Sequence, residues 1–278
     1  MDRPDTDHSP TTEPATLAFD RLCAEIVTQT DLLRSHLKDA DTTVPVPSCP
    51  EWNLNQLLRH LGGAHRSAEL AVRTRASQPP EDESWRDVSR YAGEDPAVLD
   101  AWLAEGAAML ADTLREAGPE VTVWTPVPGG RPTPEFFARR MAHETLIHRA
   151  DAALAVDATY DVDDEVAIDA VDEWLMLGSL PVMFDYYPSK RELLGPGRTL
   201  HFHATDTAPE AWAEWVVDLT GDLLAWRRAH EKAAVAVHAP LTELLLLIYR
   251  RRPARGKGVE VLGDAQLLDF WLDHVQFG

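Results

Sequence analysis

Positions 142–151, AHETLIHRAD, set the hardest condition on this chain. Thr133-Pro134 opens a helix, because Thr caps and Pro is tolerated in the first turn. From there to about Ala155 the chain has no Gly and no further Pro. Within that helix Glu144, His148 and Asp151 fall at i, i+4 and i+7 and form one stripe. Phe137 and Met141 precede them, and Ala152 and Ala155 follow on or near the same face. Two carboxylates and an imidazole therefore sit where the apolar pattern turns inward. Burying an unpaired carboxylate is expensive, so either the face is wetter than the pattern suggests or something cationic compensates. One solution is a divalent metal held by Glu144 and His148, with Asp151 on the other ring nitrogen of His148. The other is a Glu–Arg or His–Asp pair at a helix–helix contact. A zinc-protease HExxH motif is excluded. It needs histidines at i and i+4, and His143 and His148 stand ~140° apart around the axis.

A second segment supplies more histidines. In SCPEWNLNQLLRHLGGAHR, positions 48–66, Pro50 stops whatever precedes it and Asn53 is placed to cap a helix. Leu54, Leu57, Leu58, Leu61, Ala64 and Ala68 then form an apolar stripe. His60 lies at its edge, about 80° from the centre, and His65 nearer the middle. Periodicity does not choose between them as ligand or core residue. Gly62-Gly63 costs a helix roughly 1–2 kcal/mol against alanine, which points to close approach of another backbone or a ligand.

These two segments carry a resemblance. CPEWNLNQLLRHLGGAHR and MAHETLIHRADAALA are similar to the two signatures of the mycothiol-dependent maleylpyruvate isomerase family, a branch of the DinB-like metal-binding four-helix bundles. The resemblance implies a zinc site, with other divalent metals open, built from His60, Glu144 and His148. It implies mycothiol as the thiol cosubstrate. It also implies an arginine reaching the site from the C-terminal part. LIYRRRP matches best at Arg251, whose helical position also turns it towards Leu241, Leu244 and Ile248, while Arg250 points away and Arg252 stays open. Helix-end arginines beside the last carbonyls are the alternative reading.

The rest of the chain fits an α+β protein. It has 278 residues, enough for one large or two modest domains, and its 45% hydrophobic content allows a real core. Amphipathic helices are expected at about 14–39, 53–75, 96–117 and 134–155, with a fifth at about 163–178. The core positions expected in the first are Leu17, Phe19, Leu22, Ile26, Leu32 and Leu33; those in the third are Leu99, Trp102, Ala107, Leu110 and Leu114. The connection SQPPEDESWRD reads as exposed, and DVDDE at 161–165 as a solvated helix start. From about residue 190 the texture changes. LHFH alternates as a strand, placing His201 and His203 on one face, where they bind metal or simply meet solvent. AEWVVDL, LLAWRR, AAVAVHA and VEVLGD read as further strands, and LTELLLLIYRR and AQLLDFWLDHVQF as helices. The expected division is a DinB-like helical bundle over 1–185 and a smaller, sterol-carrier-like α+β domain over 186–278.

A net charge of −20 argues against nucleic acid and anionic membranes. No run of about 18 apolar residues is present. The polar N-terminus MDRPDTDHSPTTEP resembles no targeting signal, so a cytoplasmic monomer or homodimer is expected. Cys23 reads as a buried hydrophobe and Cys49 as part of the first signature, with a redox or nucleophilic role open.

The expected chemistry is a thiol S-transferase or isomerase. Three protein ligands leave a fourth metal position open, where a bound thiol ionises. Asp151 would orient His148, and Arg251 would hold an anionic substrate or thiol group. Two alternatives remain at this stage: a metal-dependent hydrolase on the same site, and a non-catalytic binding or regulatory protein.

Overall fold

The computed structural model describes residues 16–80, 84–128 and 131–275. The polar stretch at positions 1–14 lies outside them. Four long helices come first: α1 (Phe19–Leu37), α2 (Leu54–Arg73), α3 (Pro96–Ala117) and α4 (Pro134–Ala155). They pack in the ring order α1–α4–α2–α3, α1 and α3 closing it, which is the four-helix arrangement expected. Asn53 caps α2 as expected: its side chain accepts from Gln56 N at 3.1 Å, and Gln56 Oε1 accepts from Asn53 N at 3.0 Å. Thr133 stands at the N-cap of α4, but its hydroxyl makes no capping hydrogen bond; Pro134 alone supplies the start signal. In α1, Leu22, Ile26 and Leu33 are buried while Leu32 is exposed. Adjacent residues point ~100° apart, so only one of the pair can face the core.

The single inward stripe expected for α4 understates its burial. From Ala142 to Ala153 every residue except Glu144 is buried, because α1, α2 and α5 (Asp164–Gly178) all pack on it. Glu144 is therefore the one window to solvent in that run.

A two-stranded hairpin, β1 (Pro45–Val46) with β2 (Cys49–Asn53), precedes α2 and packs on α4. No strand is expected there from the pattern of residues. Pro45, Pro47 and Pro50, at the start of β1, in the turn and inside β2, hide the alternation.

After α5 come α6 (Met183–Tyr186) and a five-stranded sheet: β3 (Thr199–Ala204), β4 (Glu214–Asp218), β5 (Ala225–Arg227), β6 (Val235–Ala239) and β7 (Glu260–Gly263). The spatial order is β5-β4-β3-β6-β7, with β3–β6 parallel and the other pairs antiparallel. One face is the core. Leu200, Phe202, Trp215, Val217, Val235 and Val237 pack with α5, α7 (Leu241–Ile248) and α8 (Ala265–His274). α5 shares this apolar cluster rather than that of the bundle, and Trp215 Nε1 donates to Asp172 of α5 at 2.7 Å. A helical N-terminal region followed by a sheet-containing C-terminal one is the α+β class expected.

Candidate metal and thiol site

Glu144, at the solvent window of α4, is where the ionisable stripe converges. His148 Nε2 lies 3.1 Å from Glu144 Oε1, and His60 Nε2, arriving from α2, lies 3.7 Å from the same oxygen. One atom from each of the three side chains falls within 4.8 Å of the others. The structure thus brings together His60, Glu144 and His148, and it separates His60 from His65. His65 is fully buried beside Thr145 Oγ1 at 2.8 Å, and burial drives its pKa down to about 3. It is a neutral core residue.

Each member of the trio is held from behind. Glu144 Oε2 accepts from Arg140 Nη2 at 2.6 Å, leaving Oε1 to face the histidines. His148 Nδ1 lies 2.8 Å from Asp151 Oδ2. Asp151, itself fully buried, accepts from Ser48 Oγ at 2.5 Å and from Arg251 through Nε at 2.8 Å and Nη2 at 3.0 Å. The remaining Arg251 terminal nitrogen donates to the Tyr249 carbonyl at 2.8 Å. Arg251 therefore reaches the site as the C-terminal part of the sequence suggests, with three of its five N–H groups engaged by Asp151 and Tyr249. His60 sits between two indoles, with ring centroids 4.8 Å from Trp52 and 5.5 Å from Trp85.

Electrostatics follow from these contacts. Burial raises the Glu144 carboxyl, but Arg140 and the two imidazoles overcome it and hold it well below the usual carboxylate range. Burial lowers His148, yet its contacts with Asp151 and Glu144 more than offset that and bring it to about 9 without a metal. Burial depresses His60, and Glu144 offsets this only in part. Asp151 falls to about 2: burial opposes ionisation, and His148 and Arg251 win. Cys49 stands nearby, but burial and Asp151 push its thiol up, with Arg251 offsetting only part. A protonated thiol at neutral pH does not fit the nucleophilic role left open for it.

Both readings of the α4 stripe are present at once. Glu144–Arg140 and His148–Asp151 are ion pairs along one helix, and the same residues form a three-ligand group. His143 faces the other way. Its ring lies 2.9 Å from Glu173 and 3.1 Å from Asp169 on α5, and Arg140 links Glu173 at 2.5 Å to the Glu144 side.

Four contributors escaped the sequence reading: Ser48, Trp52, Trp85 and Arg140. Arg140 was legible, being four residues before Glu144 on the same helix. Trp85 was not. The described residues of that connection are mostly exposed, as expected, but Trp85 turns inward: a Cβ on Gly63 would stand 2.9 Å from Trp85 Cβ, and the ring of Trp102 fills the space over Gly62. The glycine pair thus makes room for two tryptophans, not for a backbone or ligand.

The donor set fits a divalent transition metal. Two imidazole nitrogens and one carboxylate oxygen converge from two helices, and the far atoms of Glu144 and His148 are tied back by Arg140 and Asp151. Among the described residues no helix is long and apolar enough to cross a membrane. The sequence matches the family model of the mycothiol maleylpyruvate isomerase N-terminal domain over residues 23–153, and that of the MDMPI C-terminal domain over residues 165–270. Two solved structures share the fold. The mycothiol-dependent maleylpyruvate isomerase aligns with TM-score 0.62 and 16% identity, covering 89% of this chain and 95% of that one. A histidine-to-alanine mutant of that enzyme aligns with TM-score 0.60 and 14% identity over the same shares. No curated protein matches the chain.

Proposed function

This chain belongs to the mycothiol maleylpyruvate isomerase family, and from that premise we propose that it is a metal-dependent, mycothiol-dependent S-transferase or isomerase acting on a small electrophile. The observation that carries the proposal is the convergence of His60 Nε2, Glu144 Oε1 and His148 Nε2 on one point beside a solvent window.

Zinc or a similar divalent cation bound there by three protein ligands would keep a position open and lower the pKa of a thiol placed in it. The chain's own residues prepare that site. Asp151 holds the Nδ1 proton of His148, which leaves Nε2 as the ligating atom once its own proton departs. Arg251 and Ser48 fix the Asp151 carboxylate in the orientation that does this. Arg140 neutralises Glu144 and confines its inward-facing contact to one oxygen. Trp52 and Trp85 wall His60, which limits water beside the thiol. We assign Arg251 to positioning Asp151, since its two-pronged contact is with that carboxylate.

Attack of the sulfur on an electrophilic carbon forms a C–S bond and moves the electron pair onto the acceptor. Protonating that acceptor gives a conjugate; rotation and re-expulsion of the thiolate gives a cis–trans isomer. Both outcomes use one site. The test is elemental analysis of purified protein, followed by turnover of an activated alkene with and without added thiol. Metal-dependent turnover that requires the thiol is expected. Product formed equally without thiol would replace thiol chemistry with water chemistry at the same metal, and full activity after chelation would end the proposal.

A further inference from the structure

The sheet face turned away from the core carries a second group of ligand-type side chains. On β3, His201 and His203 project from the side opposite Leu200 and Phe202. Glu214 on β4 pairs directly with His203 across the antiparallel ladder, and His238 on β6 pairs with His203 on its other side. His230 comes from the connection between β5 and β6.

The four groups close on one carboxylate. Glu214 Oε2 lies 2.9 Å from His201 Nε2 and 2.7 Å from His230 Nδ1, and Oε1 lies 3.0 Å from His203 Nδ1. The three ring centroids are 5.5, 6.1 and 6.2 Å apart, a near-equilateral triangle around Glu214. One atom from each of the four residues falls within 4.8 Å of the others. His203 Nδ1 is buried and makes no aligned hydrogen bond despite its closeness to Glu214. An outward sheet face needs no such grouping. One carboxylate cannot neutralise three imidazolium ions, whereas three neutral imidazoles and one carboxylate are a complete tetrahedral ligand set for a zinc-type cation.

We propose that His201, His203, His230 and Glu214 form a second, previously unassigned divalent transition-metal site, independent of the one in the bundle. Four protein ligands close the coordination sphere, so the site is structural rather than catalytic. Tetrahedral ligand atoms at bond lengths near 2.0 Å stand about 3.3 Å apart, and the movement needed is small. His230 is 79% exposed on its side chain and free to swing in, while His201 is anchored in the sheet. Binding would clamp the segment after β5 onto β3 and β4. That segment also carries Arg228, which pairs with Asp172 on α5, so the clamp would tie α5 more firmly to the sheet.

The experiment uses the full chain carrying His60→Ala, which removes the bundle site from the count. Zinc chloride and cobalt chloride are titrated, reading bound metal by elemental analysis after gel filtration, the visible spectrum of the cobalt form, and the melting temperature. One equivalent of zinc, a tetrahedral cobalt spectrum and a zinc-dependent rise in melting temperature are expected. Adding His230→Ala should weaken binding at least about tenfold, and His203→Ala with His230→Ala should abolish it. His230 is exposed and His203 half-buried, so folding is checked by the unchanged circular dichroism of the metal-free protein. In the chain with His60 intact, His230→Ala should leave thiol-dependent turnover unaltered. Failure of the His60→Ala protein to bind zinc, or unweakened binding after loss of both His203 and His230, overturns the proposal. Neither result bears on the bundle site.

Discussion

In the bundle, each ligating side chain is held by a further residue: Glu144 by Arg140, His148 by Asp151, and His60 between two indoles. Asp151 is in turn gripped by Ser48 and Arg251. On the sheet, Glu214 alone gathers three imidazoles, and one of these, His230, is largely exposed on its loop. Two groups of similar composition thus differ in depth and in support. A tightly supported three-ligand group keeps its geometry while a position stays open for exchange; a loosely supported four-ligand group gains its order from the cation. If both groups bind metal as proposed, the contrast would separate a site prepared for chemistry from one suited to cross-linking.

The largest effect expected is from His60→Ala. Losing one of three ligands should lower metal affinity by at least about 100-fold, more than loss of an outer partner does, and remove thiol-dependent turnover. The sheet cluster should keep its metal. Metal content and turnover measured on one preparation test this, and a variant that keeps both at full level would break the distinction between the two groups.

Asp151→Asn probes the support itself. It leaves all three ligands in place but removes the charge between His148 and Arg251. Metal affinity in the bundle should fall 10–100-fold, and stability by about 3 kcal/mol, because a buried arginine loses its partner. Denaturant unfolding and metal competition measure the two. No change in affinity would mean that Asp151 only packs.

Much of this arrangement was legible in sequence. The stripe Glu144–His148–Asp151 followed from helical period alone, and the five long helices and the strands after residue 190 followed from apolar spacing. The choice of His60 over His65 came from the resemblance to the family signature and not from helical period. Both lie near the same apolar stripe, and only tertiary packing shows His65 sealed against Thr145. Trp85 was hidden because a Pro- and acid-rich connection reads as solvated, whereas one indole within it is held by Gly63 and His60. The expected division at 185/186 follows the change of pattern along the chain. The apolar cluster that includes α5 reflects which face each helix buries, which pattern does not encode.

A smaller effect should come from pH, through the buried charges between α4 and α5. Asp169 and Glu173 are raised by burial, but His143, Arg139 and Arg140 more than reverse this and hold both below the usual carboxylate range. His143 is lowered by burial, and Glu173 and Asp169 lift it above its ordinary value. The carboxylates therefore contribute stability above about pH 4 that is lost as pH falls through their lower folded values. His143 contributes fully below about pH 6.5, and its share is lost as pH rises through its higher folded value. Unfolding free energy of the metal-free protein should peak between these limits. Asp169→Asn should flatten the acid side of the curve, and an unaltered acid limb would show that the pair is not what the pH senses.

The smallest effect expected, Gly62→Ala, asks whether the glycine pair serves packing or the metal. Alanine gains roughly 1 kcal/mol of helix propensity over glycine, so a free site would be stabilised. The ring of Trp102 occupies that space, and it is stacked by Arg59 at 4.2 Å and Arg66 at 4.0 Å from its centroid. The ring cannot yield without disturbing both guanidinium groups. Overpacking of this kind costs about 1–3 kcal/mol, so the net change should be a loss of about 1 kcal/mol. His60 is walled by Trp52 and Trp85, not Trp102, so metal affinity in both clusters should hold. Calorimetric melting together with zinc titration reads both quantities. A stabilised variant would show that Trp102 moves freely; a destabilised variant that also loses bundle metal would show that the glycine pair sets the position of His60.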